Sequence, residues 1–455
     1  MSVVIRFWFR VRGSLLLSAI AFLFAVPPAH AVPSFARQTG LPCAGCHVGA
    51  FGPQLNDYGR HFKLNGYVWG DEKVTVPAIS AMLLTSFTHT ASGQPGGAAP
   101  GFGDNNDVSL DQASLFYGGR IYGKLGAMIQ GTYDGIAKQF TIDNIDIRLA
   151  NQGFIGDQMF VYGLSINNNP TVQDAWNTTT AWGLPFVSSA LAPSPAAATL
   201  IEGNFAQQVI GVSAYGLWND LVLAETGVYT TLAAGTQSAL GVDPSGENQI
   251  HGAAPYWRLV VQKSWKHIYA AVGTFGLDAS VFPGRDTSAG TDHYRDLGFD
   301  LTLQDDIGAK HTVLAQANYI HETQDLKASL ALGNTANPSN ELNTARVTAS
   351  YFYDQTYGLI AGYFDAWGTK DAGLFAPNQI GGSASASPNS NGYLFEANYT
   401  PFGKDGSWHA PWINVRLGLQ YIVYTEFNGG RTNYDGFGRN AKGNDTLYGY
   451  VWFAF

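Results

Sequence analysis

Charge is scarce in this chain: Asp, Glu, Lys and Arg together make up 13% of its 455 residues, against about 25% in an ordinary soluble domain. Yet the mean hydropathy is only −0.04, and past the N-terminus no apolar run reaches the roughly 18 residues that a spanning helix needs. That excludes a helical membrane protein. A transmembrane β-barrel satisfies both constraints, because its strands alternate lipid-facing and lumen-facing side chains, which averages the hydropathy while leaving few charges. Only two cysteines are present, too few for a disulfide framework. The formal charge of −9 argues against nucleic acid as a partner and favours cations in any cavity. No serine-histidine-aspartate arrangement, nucleotide-binding glycine loop or zinc-protease motif is found, so classical enzyme catalysis is not supported.

What the chain has in quantity is glycine, 54 residues, with 27 Phe, 23 Tyr and 11 Trp, as barrels with aromatic girdles do. It opens with Arg6, Arg10 and Arg12 before an apolar stretch from about Ser14 to Val26, closed by Pro27-Pro28 and Ala29-His30-Ala31. This pattern predicts a secretory signal peptide over 1–31. Its removal, which takes three Arg and no acid, moves the formal charge from −9 to −12.

Both cysteines fall in Cys43-Ala44-Gly45-Cys46-His47. C-x-x-C-H reads as covalent attachment of one haem c: two thiols at that spacing reach the two vinyl groups of one porphyrin, and the following imidazole faces the iron. Cys43 and Cys46 are the thioether positions, and His47 is the proximal iron ligand. A redox-active cysteine pair, half a zinc site and a disulfide compete, but no βαβ pattern surrounds the motif and the other zinc ligands are missing at any usual spacing. Downstream, Leu55, Tyr58 and Phe62 recur at helical spacing, an apolar face suited to covering a porphyrin edge. Arg60 and Lys63 are placed to neutralise propionates. Residues 32–76 are too few for an independent cytochrome core, so the segment has to lean on the rest of the chain.

From 77 to 455 the sequence reads as strands with period-two alternation. Arg295, Leu297, Phe299, Leu301 and Leu303 alternate with Asp296, Gly298, Asp300 and Thr302, and the stretch from Ile413 to Val423 repeats the pattern. The count is about 16, an even number as single-chain bacterial outer-membrane barrels have. Tight turns are expected near 123–126, 152–157, 218–221, 264–267, 305–310, 353–356 and 402–408. Long connections are expected near 91–107, 168–202, 232–252, 280–292, 324–340, 369–390 and 428–444. Such asymmetry assigns the tight turns and both chain ends to the periplasm, and the haem segment to the periplasmic mouth or the lumen. The last strand sets Leu447, Gly449, Val451, Phe453 and Phe455 against Tyr448, Tyr450 and Trp452, ending on an aromatic as outer-membrane proteins do. The expected fold is therefore all-β: a transmembrane antiparallel barrel in the outer-membrane lipid, preceded by a small helical c-type haem segment.

A low-spin haem takes a second axial ligand, commonly Met or His. Met82 shares the more polar face of the first strand with Ser80, Leu84, Ser86 and Thr88 and is the first candidate. Met128, beside Gln130 and Thr132, and His61 are the alternatives. Alternation further points Asp146, Arg148, Asp296, Asp300, Arg346, Glu396 and Arg416 into the lumen, a mixed set expected to pair internally.

Two blocks are specific enough to carry a resemblance. Phe35-Ala36-Arg37-Gln38-Thr39-Gly40, with the haem motif and Phe62-Lys63-Leu64-Asn65-Gly66-Tyr67, form the first. Asn167-Asn168-Asn169-Pro170-Thr171-Val172-Gln173-Asp174, with Trp176 and the stretch from Trp182 to Pro185, form the second. In these the chain resembles the monohaem cytochrome-porin fusions that serve as outer-membrane iron oxidases in iron-oxidising bacteria. The resemblance implies that Fe(II) outside is oxidised at or near the haem and that a periplasmic c-type cytochrome accepts the electron. Another donor or acceptor, and a diffusion porin with a structural haem plug, are the alternatives.

Overall fold

The computed structural model describes residues 33–70, 78–408 and 412–455; the expected signal peptide lies outside them. Sixteen strands close into one antiparallel barrel. They are β1 (Ile79–Thr90), β2 (Asp107–Tyr122), β3 (Leu125–Asp134), β4 (Gln139–Ile155), β5 (Gln158–Asn167), β6 (Val209–Trp218), β7 (Val222–Thr231) and β8 (Ala254–Trp265). The second half comprises β9 (Ile268–Phe282), β10 (Asp292–Ile307), β11 (His311–Asp325), β12 (Ser339–Tyr353), β13 (Tyr357–Gly368), β14 (Ser390–Tyr399), β15 (Asn414–Glu426) and β16 (Thr446–Ala454). A two-residue piece, Gln249–Ile250, extends the pairing of β9. Each strand pairs with its sequence neighbours, and β1 pairs with both β2 and β16, in the latter case from Met82↔Ala454 to Thr90↔Thr446. Among the described residues the barrel strands leave no open sheet edge.

Period-two alternation decides which side chains meet which phase. Along β10, Leu297, Phe299 and Leu303 point outward, 41%, 49% and 43% exposed, while Asp296, Asp300 and Thr302 are buried in the lumen. Leu359 and Leu419 are likewise exposed, and Arg148, Arg258 and Arg416 are each 1% exposed inside. The molecule is thus apolar outside and charged within, the reverse of a water-soluble fold and the arrangement that hydrocarbon requires.

Connections differ between the rims. One rim carries 123–124, 156–157, 219–221, 266–267, 308–310 and 354–356, together with both ends of the barrel. Asn219-Asp220 and Asp354-Gln355 are left-handed at both residues, as tight hairpins between twisted strands require. The expected tight turn at 402–408 is instead part of a longer connection, 400–413. The opposite rim carries the long connections, with one exception: β3 and β4 are joined by only 135–138.

The connection 168–208 does not stay outside. It turns into the lumen, where Trp176, Leu184, Val187, Leu200 and Phe205 are buried against the inner wall. Residues 33–70 fill the other end. Gln54 Nε2 reaches Ser350 Oγ at 3.3 Å, Asn414 Nδ2 donates to the Ala50 carbonyl at 2.7 Å, and Tyr215 Oη donates to the Leu64 carbonyl at 2.6 Å. These partners stand on different walls, so the N-terminal segment is a plug inside the barrel at its tight-turn end. It draws on the wall for the core it is too short to build itself.

Candidate functional site

Two short helices frame the cysteine motif. α1 (Pro33–Thr39) begins on Pro33 and is followed by Gly40 at φ +72, whose N–H returns to the Ala36 carbonyl at 2.8 Å. These are standard start and stop signals. α2 (Asp57–Leu64) is capped by Asn56, whose side chain accepts from the Gly59 N–H, and has Lys63 in its last turn. Between them Cys43–Gly45 form a 3₁₀ turn, and the Cys43 carbonyl accepts from both the Cys46 and His47 N–H groups, at 3.1 and 2.9 Å. Val48 N–H to the Gln54 carbonyl, at 3.0 Å, closes the following loop. Gly59 lies so near the motif that a Cβ there would stand 2.4 Å from the Cys46 carbonyl oxygen.

Cys43, Cys46 and His47 line one cavity of about 680 Å³, within the roughly 300–1,000 Å³ range of small-molecule and cofactor sites. Phe35, Leu41, Phe51, Phe62, Phe116 and Trp452 give that end an apolar lining, and Trp182 and Phe186 cover it from the inward-folded connection. Both thiols are free. Burial pushes the Cys46 thiol up to about 12 and raises that of Cys43, the opposite of the depressed values of redox-active cysteine pairs. Burial also pulls the His47 imidazole down to about 4, leaving it neutral with a lone pair free for iron. Its Nδ1 is buried with no hydrogen-bond partner. Two uncharged thiols, a neutral imidazole with an unmet polar atom and an apolar lining fit a thioether-linked haem.

Met82 and Met128 both line this cavity, as candidate distal ligands must. Met82 also packs with Phe51, Ala454 and Trp452. His61 does not face the cavity: its Nε2 lies 2.9 Å from Asp220 Oδ1 on the 219–221 turn, and its ring stacks on Trp69. The expected propionate partners are also committed elsewhere. Arg60 lies over the Tyr269 ring at 3.8 Å and donates to the Leu55 carbonyl at 2.9 Å. Lys63 Nζ donates to the carbonyls of Val172 (2.8 Å) and Asp174 (2.7 Å) and to Asn177 Oδ1 (3.2 Å). The expected helical face is corrected as well. Leu55 precedes α2, and Tyr58 packs edge-on against Trp69, so only Leu55 and Phe62 of that set reach the cavity.

Sequence reasoning missed how the two distinctive blocks meet. Phe35 stacks on Tyr67 at 5.4 Å, Gln38 Nε2 donates to the carbonyls of Tyr67 and Trp69, and Lys63 ties the plug to 172–177. Most of the lumen charges pair as expected, but Asp296 has no cationic partner among the described residues and instead accepts the Ile201 N–H at 2.7 Å. Arg148 holds Asp146, Arg258 holds Asp300 and Asp174, Arg416 holds Glu396, and Arg346 reaches Glu202 of the inward connection.

No family model matches the chain, and no curated protein matches it. Solved structures to which it is similar include OmpT, an outer-membrane protein of Vibrio cholerae, at 11% identity and a TM-score of 0.42, covering 85% of this chain and 100% of that one. They also include an anion-selective porin from Comamonas acidovorans, at 11% and 0.45, covering 84% and 99%. The outer-membrane channel DcaP of Acinetobacter baumannii matches at 11% and 0.45, covering 83% and 96%.

Proposed function

We propose that this is an outer-membrane barrel carrying one haem c on Cys43 and Cys46, with His47 as proximal ligand, and that it moves electrons inward from an extracellular donor, Fe(II) first among them. One observation carries the reading: the only two cysteines and the adjacent imidazole line a single cavity, with apolar walls and the side chains of Met82 and Met128, inside a barrel. The tight-turn rim, with the plug behind it, is taken as periplasmic. Bound there, a haem would supply a one-electron site: each Fe(II) that reaches it would give up one electron and become Fe(III), and a periplasmic c-type cytochrome would accept that electron. The chain's own contribution is to hold the ring in a dry apolar end, present a neutral imidazole and close the lumen, so that electrons pass and solutes do not. Adding Fe(II) anaerobically to the oxidised protein is expected to reduce its haem absorbance. Absence of reduction near the growth pH eliminates iron as the donor, and titration with other reductants then identifies a different one.

A second reading, a diffusion porin with a structural haem plug, is favoured by the sixteen-strand architecture and by the polar part of the same cavity. It requires solute flux into liposomes and unchanged growth when Cys43 or Cys46 is replaced, whereas the electron conduit requires a sealed barrel.

A further inference from the structure

The cavity at the motif continues upward. Strand register resolves its far part into tiers, each with residues from β2, β3 and β4. Gln112, Asp134 and Gln139 form the outermost tier, followed by Ser114, Thr132 and Thr141. Below them stand Phe116 and Gln130, with Asp143 and Asn144 beside them; the next inward residue of β3 is Met128, above the plug. A β-bulge between Gln130 and Gly131 in this pairing turns two successive residues, Asp143 and Asn144, to the cavity; bulges commonly re-aim a side chain in this way. The outer end opens where β3 and β4 are joined by 135–138 alone: Ala137 and Gln139 line the cavity and are exposed.

The residues lining the arm carry charge of one sign, while the exposed Lys138 stands in the 135–138 connection at its mouth. Asp134 and Asp143 are the arm's acids, and the one Lys or Arg lining any part of the cavity, Lys63, is held at its foot by three oxygens. Among the described residues Asp143 has no cationic partner: its oxygens accept from Thr141 Oγ1 (2.6 Å), Gln207 Nε2 (3.3 Å) and Gln130 Nε2 (3.3 Å). A polar wall with unneutralised carboxylates focuses field lines and concentrates cations.

We propose that this β2–β4 arm is the route by which a small hydrated divalent cation travels from the outer rim to the motif, with Asp143 as the carboxylate that selects it by charge. The proposal builds on the haem reading for what the cation does on arrival, and on the arm alone for how it gets there.

The test uses an Asn144→Cys variant of the full protein in nanodiscs, with labelling at position 144 followed by peptide mapping. The probes are a cationic trimethylammonium and an anionic sulfonate methanethiosulfonate, their rates normalised to a free thiol. The cationic probe is expected to react faster by about threefold or more. Adding Asp143→Asn brings the ratio towards one, and Thr132→Trp slows both probes by about tenfold or more. Gln139→Trp, at the exposed rim, serves as the block if Thr132→Trp fails to fold. No labelling, equal normalised rates, or a ratio indifferent to Asp143→Asn overturns the proposal. In parallel, Asp143→Asn in the otherwise native protein is expected to slow haem reduction by Fe(II) at low ionic strength and to leave reduction by dithionite unchanged. If labelling follows the expected pattern while Fe(II) fails to reduce the native protein, the route stands and the iron reading falls.

Discussion

Replacing Lys63 by Met should loosen the plug without opening the barrel. Lys63 Nζ is buried between the carbonyls of Val172 and Asp174 and Asn177 Oδ1, at 2.7 to 3.2 Å. A hydrogen bond to a charged group contributes about 1.5–3 kcal/mol, and a buried acceptor left unmet costs about 1–3 kcal/mol. Against this stands the desolvation of the ammonium, which Met does not incur. Asn177 also keeps its bond to the Pro53 carbonyl through Nδ2. With two carbonyls orphaned and the desolvation recovered in part, the net loss is about 2–4 kcal/mol. At about 1.4 kcal/mol per decade this is roughly a 30- to 700-fold fall in protection. Amide hydrogen exchange in 57–66 and 172–180 reads it directly, with Lys404→Met as control. Lys404 makes a partly exposed pair with Asp354 at 2.7 Å, and such a pair contributes about 0–1 kcal/mol. Unchanged protection in both segments after Lys63→Met would refute the claim that this side chain joins plug to inward connection.

Three further outcomes are expected. Gly59→Ala, stabilising by about 1 kcal/mol in an unhindered helix, should here be destabilising by about 1–3 kcal/mol, because its Cβ meets the Cys46 carbonyl; haem stain per milligram falls, and an undiminished yield contradicts the geometry. Arg416→Met strands Glu396, 5% exposed, at a cost of about 3–5 kcal/mol; pairing it with Glu396→Gln should restore most of the unfolding temperature, whereas additive losses deny the pairing. The His61 imidazole is raised by its bond to Asp220, which outweighs its burial. Its contribution to docking is therefore full below the ordinary histidine value and lost as pH rises through the raised one. Protection of the α2 amides, corrected for the intrinsic pH dependence of exchange, should fall across that window and stay level there in His61→Gln.

Most of the barrel was legible in the sequence because lipid and lumen impose opposite chemistry on alternate residues, so Leu297 and Asp296 declare their sides without help from distant contacts. The same rule places Met82, Tyr448 and Tyr450 inside, where Tyr448 donates to Asp111 and Tyr450 to Glu396. The motif is local and equally readable. The 135–138 connection was missed although Asp134-Gly135 is a strong hairpin signal; Tyr133 and Phe140 flank it as ordinary strand residues, and the long loops on that rim made a short one unexpected. The 168–208 connection was taken as external because Gly, Pro and Ser punctuate it as they do any loop. Its return depends on Trp176, Leu184 and Val187 finding apolar partners on strands far away in sequence. His61, Arg60 and Lys63 were misassigned for the same reason: their partners Asp220, Tyr269 and Val172 are brought close only by closure of the barrel.

The account rests on a porphyrin bonded to the cysteine turn within the barrel, and intact mass spectrometry of protein extracted from outer membranes tests this most directly. It predicts a single species heavier than the mature polypeptide by one haem, with the added mass confined to the peptide containing Cys43 and Cys46. A polypeptide of unmodified mass, with both thiols free to alkylate after unfolding, would contradict it.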